Sequence, residues 1–157
     1  MERSPAVDSC WPADLVRLYR TERTTYVRVA YLLTGHREVA EEVVQDAFVA
    51  CGQRWVELER PRAYLRTAVV NRSRSWLRRL QLQRDRERPG ETVDEMEPDE
   101  LWDALGRLDE RRRAAIVLRF YHDLPDVEIA EALDCRPATV RTLVHRGLQD
   151  LRREVDR

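Results

Sequence analysis

Residues 127–153, VEIAEALDCRPATVRTLVHRGLQDLRR, end in a helix whose polar side chains have the chemistry to bind DNA. Arginine donates paired hydrogen bonds to phosphate and to guanine edges, and hydroxyl groups contact either. A recognition helix reads bases mainly with its N-terminal turns. We therefore predict DNA contacts from six residues at the start of this helix: Arg136, Thr139, Arg141, Thr142, His145 and Arg146.

The elements that must position these side chains form a helix-turn-helix. Val140, Val144, Gly147 and Leu151 recur at helical spacing and predict one buried stripe behind the basic face. Asp134 is expected to adopt the left-handed conformation of the turn, and the following Pro137 is compatible with a first helical turn. Leu143 and Leu148 flank the stripe as core or as contact residues. The alternative is a helical hairpin with a solvated face.

A second basic segment, residues 60–88, carries ten arginines and two acids, a net charge of +8. Pro61 begins a predicted helix with Leu65, Val69, Trp76, Leu77 and Leu80 on its buried side. Arginines interleaved with aromatic rings are typical of single-strand binding, where rings stack on bases. Trp76 is expected in the core rather than as a stacking platform.

The helix REVAEEVVQDAFVACGQRW, which precedes this segment, has an acidic face. Such a face can dock on an arginine-rich helix of a protein partner; a merely solvated face is the alternative. The residues of this face are Glu38, Glu41, Glu42, Gln45, Asp46 and Val49.

The amino-acid composition indicates the fold class. The 157 residues are 43% hydrophobic and 36% charged with only 5 Gly, and helical rather than alternating patterns predict an all-α chain. Residues 89–110 carry nine acids and one arginine, so a net charge of −8 offsets the arginines and leaves −1 overall. Three cysteines without CxxC spacing, and the absence of a signal-like or membrane-spanning stretch, predict an intracellular protein without a metal site.

Three segments in this order resemble the sigma-70 family of RNA polymerase sigma factors, in its small extracytoplasmic-function group and an actinobacterial sigma-E-like subset. LLTGHREVAEEVVQDAF is similar to that group's core-polymerase-binding helix, RAYLRTAVVNRSRSWLRR to its −10-contacting helix, and residues 108–151 to its −35-binding domain. The resemblance implies two small helical domains: a tail at 1–12, region 2 at 13–84, an acidic linker at 85–98 and region 4 at 99–157.

The resemblance also implies partners and roles. The acidic face is expected to bind the polymerase clamp helices, the six residues around the recognition helix the −35 element, and an anti-sigma factor is expected to hold the protein inactive, in some members at the membrane. No catalysis, cofactor or small-molecule substrate is implied, and cytoplasmic action is expected. The residues expected at the −10 element are Arg62, Arg66, Asn71, Arg74, Arg78 and Arg79.

The sequence departs from the group at four positions. Ser75 stands where many members have Asp, Asp134 replaces a frequent turn Gly, Leu143 replaces a polar residue, and Arg136-Pro137 shifts the usual proline by one position. These departures bear on promoter choice more than on class.

Two other classes compete with this interpretation. A stand-alone helix-turn-helix regulator would bind half-sites as a symmetric dimer, but the +8 segment would then be unexplained. An enzyme would need a phosphate-binding glycine loop, a metal-ligand set or an activated nucleophile, and the sequence shows none. We further hypothesise a closed free state in which the acidic linker screens the adjacent arginines.

Overall fold

The computed structural model describes residues 11–86 and 100–156, and all regular structure in these ranges is helical. The predicted all-α class is therefore confirmed. The helices are α1 (Ala13–Thr34), α2 (Arg37–Gln53), a 3₁₀ turn (Trp55–Glu57), α3 (Pro61–Arg86), α4 (Glu100–Gly106), α5 (Glu110–Ile116) with its π-helical extension (Val117–Tyr121), α6 (Asp126–Leu133) and α7 (Pro137–Val155).

The first module, residues 11–86, is a bundle of α1, α2 and α3. Gly35 ends α1 with φ 78° and donates its N–H to the Tyr31 carbonyl at 2.7 Å, so the chain reverses into α2. Phe48 of α2 lies edge-on to Tyr19 and Tyr26 of α1, with ring centroids 5.0 and 6.0 Å apart. These contacts fix the relative positions of the two helices whose outer faces carry charge.

The second module, residues 100–156, packs α7 across α5 and α6. Asp109 caps α5 by accepting the Arg112 N–H, and Asp134 takes the left-handed conformation (φ 51°) between α6 and α7, as predicted. Val140, Val144 and Gly147 are buried, which confirms the predicted stripe. Leu143 packs against the same core, so it belongs to the core and not to the basic face.

The two modules lie against each other. Val29 and Leu33 of α1 and Val70 of α3 belong to the same buried cluster as the core of the second module. Between the modules, the Nε of buried Arg113 donates to the Leu32 carbonyl at 2.7 Å. Burial lowers the pKa of Arg113 to about 10, because the cation is partly removed from water.

One sequence expectation about α3 is wrong. Leu65 and Val69 are buried, but Trp76, Leu77 and Leu80 are only half-buried, because the bundle covers the first half of α3 and not its C-terminal half. Trp76 instead lies edge-on to His36, with ring centroids 5.0 Å apart. Most of the predicted acidic linker at 85–98 lies outside the described residues.

Gly147 allows α5 and α7 to approach closely. A Cβ at this position would lie 3.0 Å from Ile116 Cγ1 and 3.2 Å from its Cδ1. Gly147→Leu should therefore lower the free energy of unfolding by about 1–3 kcal/mol, the usual cost of overpacking, as measured by urea denaturation. Gly106→Ala is the control, because a Cβ there meets nothing within 4 Å. An unchanged midpoint in Gly147→Leu would contradict the packing described.

Candidate nucleic-acid interface

The basic face of α7 is open to solvent. Arg136, Arg141, Thr142, His145 and Arg146 are exposed. The sixth predicted contact, Thr139, is half-buried. The Arg112 guanidinium of α5 forms an ion pair with the Asp150 carboxylate of α7 at 2.6 Å, which helps to fix the position of α7 on the second module. The helix thus presents its predicted DNA contacts together on a rigid support.

Asp126, the first residue of α6, orients one of these side chains. Its carboxylate pairs closely with Arg119 and lies 3.8 Å from the Arg141 guanidinium. The Arg141 side chain remains 63% exposed. It is therefore steered from one side and still free to meet a nucleic acid from the other.

The acidic face of α2 is also open. Glu38, Glu42, Gln45, Asp46 and Val49 are exposed. Glu41 is half-buried and forms an ion pair with Arg37 at 3.4 Å. One apolar side chain among four acids and an amide suits a protein partner better than a nucleic acid, whose phosphates the acids would repel.

An open groove separates the acidic face of α2 from the basic face of α3. Glu42 and Asp46 lie on one wall, and Asn71, Ser75 and Arg79 on the other. Asn71 and Arg79 are exposed. Two of the predicted −10 contacts are therefore placed beside the predicted partner face, where one bound assembly can use both.

The remaining predicted −10 arginines meet carboxylates. Arg62 pairs with Glu22 of α1 at 2.8 Å. Arg66 lies 3.8 Å from Glu128 of α6. Arg74 forms two hydrogen bonds to Glu110 of α5 at 2.6 and 3.1 Å, and Arg78 lies 4.0 Å from the same carboxylate.

The family comparisons cover both modules. A model of sigma-70 region 2 matches residues 18–83, and a model of sigma-70 region 4 matches residues 99–151. The RNA polymerase sigma-E factor of Streptomyces coelicolor is 30% identical over 149 residues, which are 87% of this chain and 82% of that protein. The protein of the same name from Streptomyces avermitilis is 31% identical with the same coverage.

The chain belongs to the sigma-70 family of RNA polymerase sigma factors. It is a transcription initiation factor of the extracytoplasmic-function group, and the resemblance stated from the sequence is confirmed.

Solved structures share the fold of this sigma factor. The sigma factor RpoE from Bartonella quintana, in complex with the anti-sigma factor NepR, matches with a TM-score of 0.77 at 19% identity, over 92% of this chain and 98% of that one. CnrH in complex with the cytosolic domain of CnrY matches with a TM-score of 0.70 at 22% identity, over 90% and 87%. The arrangement of helices in both modules is thus shared with these two solved structures.

Residues at the boundary between the modules were not singled out by the sequence. They are Tyr26, Glu110, His122, Glu128 and Glu131. Glu128 and Glu131 share one face of α6, but nothing local distinguishes that face from a solvated one. Only the tertiary fold brings them to α3.

Metal and membrane functions find no support in the parts of the chain that the structure describes. Among residues 11–86 and 100–156, no cluster of His, Cys, Asp and Glu is suited to hold a metal ion. None of the helices in these ranges is sufficiently long and apolar to span a bilayer. Cys51 is buried, and burial raises the pKa of its thiol to about 11, which disfavours the reactive thiolate.

The surroundings of His122 predict that the free energy of unfolding depends on pH. Its ring lies 5.8 Å from that of Tyr26, and burial, assisted by Arg66, lowers its pKa, while Glu22 and Glu128 act in the opposite direction. The unfolded chain then binds a proton near pH 6.5, where the folded chain does not. The free energy of unfolding should therefore fall as the pH drops below about 6.5.

Denaturant unfolding at pH 7.5 and pH 5.5 checks this dependence. His122→Gln should show a smaller loss of stability over this interval than the wild type, because the group that takes up the proton is gone. His145→Gln, which removes an exposed histidine of α7, is the matched control. Equal pH dependence in wild type and His122→Gln would refute the assignment.

Proposed function

We propose that this sigma factor uses three separate faces: the acidic face of α2 for the clamp helices of core RNA polymerase, α3 for the −10 element and the start of α7 for the −35 element. The observation that carries the proposal is the segregation of charge, with carboxylates on the exposed face of α2 and arginines along α3 and at the start of α7. An acidic, partly apolar face suits an arginine-rich protein helix. The arginine faces suit phosphates and base edges.

The α2 face brings the clamp helices next to the −10 strand. Glu42 and Asp46 line the same groove as Asn71 and Arg79. A polymerase helix on α2 therefore leaves the α3 wall free for a separated DNA strand. Half-buried Trp76 lines this groove too, so an aromatic ring is available to stack on a base.

The α7 face suits duplex DNA. Its exposed residues lie in the first turns of a 19-residue helix that begins at Pro137, the part of a recognition helix that reads base edges. Arg141 and Arg146 are the candidates for paired hydrogen bonds to guanine or phosphate. If Arg141 and Arg146 contact guanine, they contribute sequence specificity. If they contact only phosphate, they contribute affinity alone.

Regulation and location complete the proposal. The sigma factor RpoE named above was solved in complex with the anti-sigma factor NepR, and we extend an anti-sigma partner to this chain. The protein acts by binding rather than by catalysis, in the cytoplasm where polymerase and promoters meet. We assign region 2 to 13–84, the linker to 85–98 and region 4 to 99–157. Family membership disfavours the stand-alone regulator.

Charge reversal tests the α2 assignment. Glu42→Arg and Asp46→Arg should each abolish co-elution with sigma-free core polymerase on a sizing column, because the face would then repel an arginine-rich helix. Asp14→Arg is the control: Asp14 is exposed on α1, away from the groove. Circular dichroism establishes that the variants fold. Wild-type co-elution of both α2 variants would overturn the assignment of this face.

Alanine substitution tests the α7 assignment. With core polymerase bound, Arg141→Ala and Arg146→Ala should each weaken binding to promoter DNA by about 1–3 kcal/mol if they contact bases. The loss should disappear on a promoter altered at the contacted base pair. Arg152→Ala, at the opposite end of α7, is the control. Equal losses on every −35 sequence would mean phosphate contacts, and no loss would exclude both residues.

A further inference from the structure

Asp126, the first residue of α6, bridges two guanidinium groups with its two carboxylate oxygens. Oδ1 pairs with Nη2 of Arg119, which lies in the π-helical extension of α5. Oδ2 lies 3.8 Å from Nη1 of Arg141, in the second turn of α7. The carboxylate therefore connects the start of α7 to the two elements that precede it in the chain.

The backbone around Asp126 is fixed by local contacts. The Leu124 N–H donates to the Leu118 carbonyl at 3.0 Å, which closes the turn between the π-helical extension and α6. Pro125 directly precedes Asp126 with φ −70°, the value that its ring imposes. One turn further along α6, Ile129 is fully buried. The carboxylate is thus held in one place beside α7.

The contact with Asp126 leaves the paired donors of Arg141 available to a ligand. A guanidinium carries five N–H donors, and the carboxylate approaches Arg141 on the Nη1 side. The Nε and Nη2 donors remain, and two parallel N–H donors match the O6 and N7 acceptors of guanine. At 3.8 Å the contact is electrostatic rather than a hydrogen bond. It therefore biases the orientation of the side chain without consuming a donor.

The same carboxylate distinguishes between the two ligands that an arginine can meet on DNA. A phosphate carries a full negative charge, and the carboxylate of Asp126 would repel it at short range. The edge of a guanine carries only partial charges. Specificity is a difference between affinities, and a repulsive element against the competing ligand increases that difference. Asp126 therefore penalises a phosphate at Arg141 more than it penalises guanine.

Arg146 provides the contrast within the same helix. It is exposed five residues further along α7, and none of the ion pairs formed among residues 11–86 and 100–156 involves it. A guanidinium without a neighbouring carboxylate is equally suited to a phosphate and to a base edge. The two arginines of α7 therefore differ in their surroundings although they are the same residue type.

We propose that Asp126 is a positioning residue for −35 recognition: it directs the Arg141 guanidinium to a guanine edge and disfavours its contact with phosphate. The inference rests on the proposed −35 role of α7 and names one base that this helix reads. An acid in the first turn of a helix also stabilises the helix N-terminus. That role alone would leave the base preference of Arg141 unchanged, so base preference is the property to measure.

The first experiment measures this base preference. Holoenzyme formed from core polymerase and the full-length chain is incubated with a duplex DNA library randomised across both promoter elements, and the bound DNA is sequenced. The wild type should prefer guanine at one −35 position, and Arg141→Ala should remove that preference. Asp126→Asn should lower the same preference about threefold to tenfold, a part of what one paired contact to guanine supplies. Preferences at the other positions should stay as in the wild type.

Asp123→Asn is the matched control, because it removes the same charge three residues before Asp126. Asp123 is exposed, and its φ of 53° is a conformation that asparagine also accepts. Its base preferences should equal those of the wild type. Asp126→Ser removes the carboxylate by a different substitution and should act as Asp126→Asn does, and circular dichroism establishes that the variants fold. An unchanged guanine preference in both Asp126 variants, or an equal loss at all positions, would refute the proposal.

The second experiment measures how salt affects holoenzyme binding to the DNA that the wild type selects. Each contact to a phosphate adds about 0.9 to the slope of log affinity against log salt concentration. Without the carboxylate, Arg141 becomes free to bind a phosphate. Arg141→Ala should therefore reduce the slope by about one more in the Asp126→Asn background than in the wild type. Arg146→Ala, made in the same two backgrounds, is the control and should change the slope equally in both. Equal changes for Arg141→Ala would contradict the positioning role.

The variants of Arg141 and Asp126 separate this inference from the proposed function. If Arg141→Ala changes no base preference, the −35 role of Arg141 fails and the inference fails with it. If Arg141→Ala removes a guanine preference that both Asp126 variants keep, the −35 role stands and only the positioning role of Asp126 is overturned.

Discussion

The arginines of α3 impose the constraint on which the arrangement of this protein depends. Residues 60–88 hold ten arginines against two acids, and each guanidinium must be hydrated, paired with a carboxylate or paired with a phosphate, because an unpaired buried cation is very costly. Where α3 faces solvent, as at Arg79, water hydrates the guanidinium. Where region 4 covers α3, the carboxylates of Glu110 and Glu128 pair with the guanidinium groups instead. The position of region 4 is thus restricted to places where its glutamates reach these arginines.

Ion pairs and apolar packing both stabilise the boundary between the two regions. Each exposed ion pair contributes about 0–1 kcal/mol, so Arg60 and Glu131, which are both largely exposed, add little on their own. Burial of apolar surface contributes about 25 cal/mol per Å², and Val29, Leu33 and Val70 supply it. Apolar packing therefore provides most of the attraction, while the ion pairs select the register and penalise other arrangements.

Local sequence patterns predicted the features that depend only on neighbouring residues. The period of the apolar residues predicted α7 and its buried stripe, and Asp134 was predicted at the turn before α7 because its local chemistry requires no distant partner. The family and its two regions were predicted from motif order. The separate exposed faces of α2 and α7 followed from the same periodicity.

Long-range contacts were beyond the reach of such patterns. Arg74 was assigned to the −10 element from the family resemblance, and its partner Glu110, which lies 36 residues away in sequence, was not foreseen. Trp76 was placed in the core on its position in the helix, but among the described residues it is only half-buried and lies against His36. Leu143 differed for the opposite reason: a position that is often polar is here taken up by the core of region 4.

The distribution of charge between α3 and region 4 follows from the same constraint. A protein whose two basic faces were both uncovered would bind any DNA through phosphates, since such binding depends on charge and not on sequence. Here the strongest positive segment is matched by carboxylates of the other region, while α7 keeps a short basic face whose Arg141 is steered by Asp126. Non-specific attraction is thereby lowered without removing an arginine from either face. Pairing arginine with glutamate inside the molecule keeps each guanidinium in the paired geometry that also suits a phosphate.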